Sequence, residues 1–342
     1  VRKQSAELGF WAHHMPEEVG GGGMSEVDGI ILREACGATG SVLAALALAG
    51  PEGPSPMHLV FNEAQREKYL KPLIAAETTC CFMLSEPGAG SDAQNISTKA
   101  EKRGDKWVLN GVKHFISNGH KADWGVVFAL NDADKRARGG ISAFIIERDQ
   151  WKVGRIHEGM AGFEGQAEVV LEDVEVSPEN VVGREGYGFA EAMRFLGAGR
   201  LHIAAGAVGV AQFLLNMGAD HAGQRQSFGK PIASYQGIQW MLADSATEIY
   251  AARNMIYHCA WLIDQGKDAA KEMSMCKLFA TEMVNEVCDR VLQIHGGMGW
   301  MKETRTEGFY RSLRVLRIVE GTSEIQRMMI ARAVLGEVAR RG

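Results

Sequence analysis

The sequence predicts an α+β chain, mostly α, in three successive parts: an N-terminal helical domain over 1–79, a middle antiparallel β-barrel or sandwich over 80–185, and a C-terminal helical bundle over 186–342. Three observations predict it. Seven of the eight prolines lie at or before Pro178 and the last is Pro231, so residues 232–342 lack the residue that breaks helices. Cys276, Ala280, Met283, Val287, Val291 and Ile294 step by three and four, the apolar stripe of a long amphipathic helix. Between the two helical parts, short β-branched and aromatic runs alternate with turn residues.

Taken in order, residues 1–79 read as helices interrupted by the glycine run Gly20–Gly23 and the loop Pro51–Pro56. The most apolar run, Ser41–Gly50, is about half of the roughly 20 residues that cross a bilayer, so it reads as a buried helix. Trp107–Ile116 reads as two short strands around Asn110-Gly111, a strong hairpin signal, followed by strands at Trp124–Leu130, Ile141–Ile146 and Glu168–Val176. Leu201–Leu215 carries Ala204, Ala205, Gly206, Ala207, Gly209 and Ala211, which strip away bulk and predict a helix packed very close to a neighbour. Ile238, Leu242, Ile249 and Ile256 mark a further helix.

With 37 Lys+Arg against 42 Asp+Glu and a net charge of −5, no basic stripe recommends nucleic acid as a partner. No membrane partner is expected either. The six cysteines show no CxxC pair and no metal-ligand spacing, so reduced, buried thiols and no metal are expected. The chain opens at Val1 inside a helical pattern, without an initiator methionine, which implies that an N-terminal piece is missing.

Four strings carry candidate chemistry. Ser85-Glu-Pro-Gly-Ala-Gly-Ser-Asp92 combines small residues, which let backbone amides approach a ligand, with hydroxyls suited to a flavin edge or a phosphate; an ordinary turn is the plainer account. Arg225-Gln-Ser-Phe-Gly-Lys-Pro231 offers an arginine and an aromatic ring to a pyrophosphate and an adenine, or simply caps a helix with positive charge. Gln293-Ile-His-Gly-Gly-Met-Gly299 ends a helix, and His295 reads as a packing histidine. In Val319-Glu-Gly-Thr-Ser-Glu-Ile-Gln326, Glu320 follows Ile318 and Val319, an apolar setting that makes a carboxylate a stronger base. Ser323 and Gln326 have the spacing of a capping box, which would leave Glu320 as a pre-cap charge.

In order and spacing these strings closely resemble the acyl-CoA dehydrogenase family, from about Leu8 to Leu335. The resemblance implies a helical domain, a β domain and a C-terminal four-helix bundle around FAD, in a homotetramer or homodimer, with some tens of residues absent before Leu8. It places Phe82, Leu84, Ser85, Phe115 and Ser117 along the isoalloxazine, and Ser91 at the mouth shared by FAD and CoA. Arg225, Phe228, Gln236, Gln293, Gly296 and Gly297 match positions that grip the FAD of a neighbouring subunit, and Thr322 and Glu324 match further FAD contacts. Gly197, Gly199, Arg200 and Gly321 match substrate contacts.

By the same resemblance Glu320 is the base that removes the α-proton of an acyl-CoA thioester while the β-hydride passes to flavin N5, giving the trans-2-enoyl-CoA. Some members carry this glutamate on the bundle helix, at the position of Gly199, where glycine cannot act. Val319 stands where an aromatic is common, Phe115 where tryptophan is, and Ser85 and Ser117 where threonines are, so the acyl group is open; a branched, long or functionalised chain fits the lost bulk. An electron-transferring flavoprotein is the expected electron acceptor, in a cytoplasmic or mitochondrial-matrix enzyme. The same site run backwards reduces an enoyl-CoA. A flavin monooxygenase or oxidase on this scaffold is the competing class, against which Glu320 counts, and the net charge of −5 counts against a DNA-binding relative.

Overall fold

A computed structural model describes residues 1–160 and 164–339, whose contacts divide into two compact units: Val1–Met24 with Leu46–Ala198, and Ser25–Ala45 with Gly199–Gly342. The first unit holds a seven-stranded sheet of β1 (Cys80–Met83), β2 (Lys99–Arg103), β3 (Lys106–Ser117), β4 (Trp124–Leu130), β5 (Ile141–Glu147), β6 (Lys152–Glu158) and β7 (Glu164–Val176), in the order β1-β4-β2-β3-β7-β6 with β5 also on β4. The sheet is mixed where the sequence reading has it antiparallel. β1 runs parallel to β4, because the β2–β3 hairpin lies between them in sequence and supplies the crossover that a parallel pair requires.

Side-chain alternation on β4 sends Trp124, Val126 and Phe128 to one core with Trp11, Met57, Tyr69 and Leu73. Val127 and Ala129 go to another with Trp107, Leu109 and Phe144. A strand covered on both faces reads as a continuous apolar run, which is why this segment is so plain in the sequence.

Asn110-Gly111 is not a hairpin turn. The chain runs straight through it as β3, and the pair marks a register shift instead: Leu109 faces Val174, but Gly111 faces Leu171. The extra β7 residue, Asp173, has φ 47°, and its N–H donates to Asn110 Oδ1 at 2.8 Å. A Cβ on Gly111 would stand 2.7 Å from Thr98 Cα, so close approach explains the glycine and a bulge explains the asparagine. A second shift, between Lys113 and Ile116, leaves Phe115 with φ 56°, a conformation that a bulky residue rarely adopts.

The second unit is helical: α1 (Glu26–Ala38), the part of α2 (Gly188–Gln224) from Gly199 on, α3 (Gln236–Asp264), α4 (Ala270–His295), α5 (Arg305–Leu313) and α6 (Ser323–Ala339). The predicted stripe of α4 is buried throughout, from Cys276 to Ile294. Of the residues predicted to line α3, Ile249 and Ile256 are buried, while Ile238 and Leu242 are partly exposed. The small-residue stretch of α2 does cross a neighbour closely: a Cβ on Gly37 of α1 would lie 2.6 Å from Gly206 O, and one on Gly209 would overlap Glu34 O. α2 is also long and apolar enough to cross a membrane by length and composition, but Ala204, Ala205, Ala207 and Ala211 are core residues of this unit.

Ser41–Gly50 departs from expectation. Only Val42–Ala45 is helical, Val42 and Leu43 are exposed, and burial is confined to Leu48 and Ala49, because Gly40 at φ 60° ends α1 and leaves too short a segment to pack an apolar face. All six cysteines are free thiols, and all but Cys36 are buried.

Candidate active site

In the first unit the Ser85–Asp92 loop leaves the end of β1 and is tied down by a buried ion pair. Lys113 Nζ on β3 donates to Glu86 Oε1 at 2.7 Å and to Leu84 O at 3.1 Å, with both charged side chains almost fully buried. Glu86 also accepts from Ser97 N and Oγ, each at 2.6 Å, and from Thr98 N at 3.0 Å. Burial opposes the Glu86 charge but Lys113 and these donors outweigh it, holding the carboxyl at about 2; burial takes Lys113 down to about 8 against the pull of Glu86. His114 N donates to Ser85 O at 2.8 Å and joins the loop to the Phe115 bulge.

The bulge turns Phe115 outward, 60% exposed, with its ring beside those of His114 and His157. Ser85 and Ser117 are partly exposed and Ser91 is exposed. A Cβ on Gly88 or Gly90 would meet nothing within 4 Å, so the loop backbone is open to a ligand. Phe82 is half-buried, stacked on Phe195 at 4.2 Å between centroids, and Leu84 lies in the core, so both support the loop from below. This set fits a flavin edge: an aromatic face, hydroxyls and bare backbone on one loop-and-bulge surface.

The second unit carries the other predicted groups at its surface. Arg225 ends α2 and leads into the hairpin Gln226–Ser227/Lys230–Pro231, at whose tip Phe228 is 95% exposed with φ 50°. Tyr235 OH donates to Ser227 O at 3.0 Å and holds that tip. An aromatic ring so fully exposed suits a planar ligand or a partner chain. Gln236, Gln293, Gly296 and Gly297 are likewise exposed, and His295 is the expected packing residue, stacked on His221 at 4.2 Å.

The best-defined chemistry lies at Glu320. It has φ 55° and Gly321 has φ 88°, so two successive residues are left-handed in the turn before α6. Ile318 and Val319 are 54% and 39% exposed, so they do not supply the apolar setting the sequence suggested. The carboxylate instead folds inward over α2, where a Cβ on Gly199 would lie 2.9 Å from Glu320 Cδ. Oε2 is buried without a hydrogen-bond partner among the described residues. Burial lifts the Glu320 carboxyl to about 7 even though Arg200 and Lys277 pull it down.

Three side chains hold the turn by its carbonyls. Arg200 Nε donates to Glu320 O at 3.4 Å, Gln326 Nε2 to Glu320 O at 3.1 Å and to Gly321 O at 3.0 Å, and Lys277 Nζ to Gly321 O at 2.8 Å. Gln326 is therefore not half of a capping box with Ser323; Thr322 is the cap, its Oγ1 accepting from Ile325 N at 3.3 Å. Thr322 is partly exposed and Glu324 exposed. Arg200, expected at the substrate, is 8% exposed and faces the base-bearing turn; a Cβ on Gly197 would meet open space.

Lys113 and Lys277 are the buried charges beside the candidate residues that sequence reasoning missed. Each carried a signal. Lys113 shares the inward face of β3 with Trp107 and Leu109, and Lys277 begins the buried row Thr281, Val284, Cys288 and Val291 on α4. A lysine in an apolar row is costly unless paired.

Gly199→Val is predicted to displace the Glu320 carboxylate and not the fold, because the clashing atoms end a flexible side chain. The expected result is an unchanged melting temperature and an activity loss of about 10²-fold, the order reported for misplaced reacting groups. Thermal melts and single-turnover rates on the same preparation check it.

Three family models match the chain in succession: acyl-CoA dehydrogenase N-terminal domain at residues 1–77, middle domain at 81–174 and C-terminal domain at 186–335. Subunit CarC of the caffeyl-CoA reductase-Etf complex of Acetobacterium woodii is 41% identical over 341 residues, 98% of this chain and 89% of that relative. The 3-(aryl)acrylate reductase of Clostridium sporogenes is 40% identical over 341 residues, 98% and 90% of the two chains. The solved structure of butyryl-CoA dehydrogenase from Megasphaera elsdenii matches with a TM-score of 0.89 at 34% identity, covering 97% of this chain and 89% of that one.

Proposed function

The chain belongs to the acyl-CoA dehydrogenase family of FAD-dependent oxidoreductases, and on that premise we propose that it oxidises an acyl-CoA thioester to the trans-2-enoyl-CoA with Glu320 as the base. The observation that carries this reading is the buried, unpartnered Oε2 of a carboxyl raised to about 7. Such a group is partly ionised at neutral pH and basic enough to take a proton from a carbon activated by a thioester.

Glu320 removes the α-proton, and its own backbone N–H is the donor offered to the thioester carbonyl as negative charge gathers there. Arg200 and Gln326 keep the turn from swinging while the proton moves. When bound, FAD supplies the acceptor for the hydride that leaves the β-carbon. In the first unit Ser85, Ser91, Phe115 and Ser117 would hold a flavin edge; in the second, Thr322 and Glu324 would make further FAD contacts, and Arg225, Phe228, Gln236, Gln293, Gly296 and Gly297 would hold the FAD of a second copy, in a homodimer or homotetramer. Gly197 leaves room for a substrate, while Gly321 serves the left-handed turn after the base. The electron acceptor is an electron-transferring flavoprotein, a reading supported by the Etf complex to which the A. woodii relative belongs.

Reduction of an enoyl-CoA uses the same groups in reverse, with Glu320 returning the α-proton. Two relatives bearing the name reductase favour this second reading. Anaerobic titration of the FAD-loaded protein separates the two: saturated acyl-CoAs of graded length and branching are expected to bleach the flavin band, and enoyl- or arylacryloyl-CoAs to restore it after chemical reduction. If no thioester of either kind changes the band, the proposed activity is wrong.

A further inference from the structure

The turn that carries Glu320 is built from two left-handed residues, the first of them not glycine, and such backbone persists only where its surroundings hold it. Its surroundings include an ammonium group of unusual setting. Lys277 is 0% exposed, lies in the apolar row of α4, and spends a hydrogen bond of 2.8 Å on Gly321 O. Methionine would fill that row at less cost, and Gln326 already donates to the same carbonyl, so holding the fold together does not explain the lysine. We propose that Lys277 is a positioning residue for the base: its buried ammonium pins the Glu320–Gly321 turn by the Gly321 carbonyl and stands as the fixed countercharge behind the Glu320 carboxylate.

The charges that face this pair come from α2, α4 and the segment around α6. Arg200 and Lys277 favour the ionised carboxylate of Glu320, while Glu320, Glu282 and Glu324 favour the charged form of Lys277 and Arg200 opposes it. Burial dominates both groups, lifting Glu320 to about 7 and lowering Lys277 to about 8; Arg200 and then Lys277 hold the Glu320 rise in check, and Glu320 is the main charge that keeps Lys277 protonated. Without the lysine charge the carboxylate would hold its proton more tightly and be ionised only at higher pH. The proposal rests on the reading of Glu320 as the base and adds to it a residue that never touches the substrate.

Lys277→Gln keeps an N–H donor, one bond shorter, on the side facing Gly321 O and removes the charge; Lys277→Met removes both; Lys277→Arg keeps both. In the FAD-loaded enzyme, the pH dependence of single-turnover flavin bleaching is expected to move upward by about one unit in the Gln and Met variants and to stay in place in the Arg variant. The high-pH rate is expected to survive in Gln and to fall about 10-fold in Met, where the turn is also loosened. A readout independent of turnover is the carboxyl stretch of Glu320 in difference infrared spectra against Glu320→Gln, expected to titrate about one unit higher in Lys277→Gln. An unmoved pH limb and an unmoved infrared titration in the Gln and Met variants would overturn the proposal, as would a lowered melting temperature as their sole effect. Glu320→Gln run alongside keeps two failures apart: bleaching that persists there removes the base itself, whereas bleaching lost there with unshifted Lys277 variants removes the lysine's role alone.

Discussion

Glu320→Gln is expected to slow anaerobic flavin bleaching by a substrate thioester by about 10³-fold, the usual range for loss of a positioned general base, while the protein still binds FAD. The substitution preserves shape over Gly199 and removes only the capacity to take a proton. In the parent protein the bleaching rate is expected to climb with pH through about 7, because the base acts in its ionised form and its carboxyl is raised to that value by burial. Stopped-flow traces from pH 5.5 to 8.5 check both. A rate independent of pH in the parent, or equal rates in parent and variant, would remove Glu320 from the chemistry.

The same residue makes a prediction about stability with the opposite sign. A carboxyl whose folded pKa is raised from 4.5 to about 7 stabilises the fold fully below the unfolded value and loses that contribution as pH rises through about 7. The loss amounts to roughly 3 kcal/mol at one pKa unit per 1.4 kcal/mol, so Glu320→Gln is expected to melt at a higher temperature than the parent at pH 8. An active site that gains stability when its base is neutralised is one held in tension for function.

The second large effect concerns the pair under the Ser85 loop. Lys113→Met leaves the Glu86 carboxylate buried with only neutral donors, and breaking a buried pair on one side costs about 3–5 kcal/mol. Thermal and urea unfolding are expected to show that loss at pH 7, and the double variant Lys113→Met/Glu86→Gln is expected to recover a good part of it. The pH dependence follows from Glu86, whose folded carboxyl is depressed to about 2. Its contribution is present above 4.5, the unfolded value, and drains away as pH falls towards about 2. A single lysine variant as stable as the parent would show that the pair does not hold the loop.

Much of the fold was legible in the sequence, and particular residues show why. β4 and β5 are covered on both faces and so read as unbroken apolar runs, and the α4 stripe is buried along its whole length, so its period of three and four is clean. Asn110-Gly111 was misleading because its chemistry serves a bulge as well as a turn: an asparagine side chain that bonds a neighbouring backbone, and a glycine where another strand comes close. Ser41–Gly50 was misleading because apolar composition reports on burial only when the segment is long enough to present a face.

At the site, Glu320 stands out from its motif, but the only source of basicity its own sequence window offers is the pair Ile318 and Val319. The structure assigns that basicity to burial of the carboxyl over Gly199, with Arg200 and Lys277 moderating the rise, residues distant in sequence that no window around position 320 contains. Gln326 shows the same limit. Its spacing from Ser323 fits a capping box, yet its amide reaches back to the carbonyls of Glu320 and Gly321.

The glycine-to-backbone contact of α1 with α2 bears on how the chain is born. Gly37 emerges from the ribosome roughly 170 residues before its docking site at Gly206, which at about 5–20 residues per second is a delay of roughly 10–30 s. Throughout that interval Ser25–Ala45 has no completed unit to join, since the rest of its own unit begins at Gly199. The face of the segment that packs on α2 therefore stays uncovered until translation has passed residue 199, and a synonymous slowdown upstream of that point would prolong its exposure without changing a single amino acid.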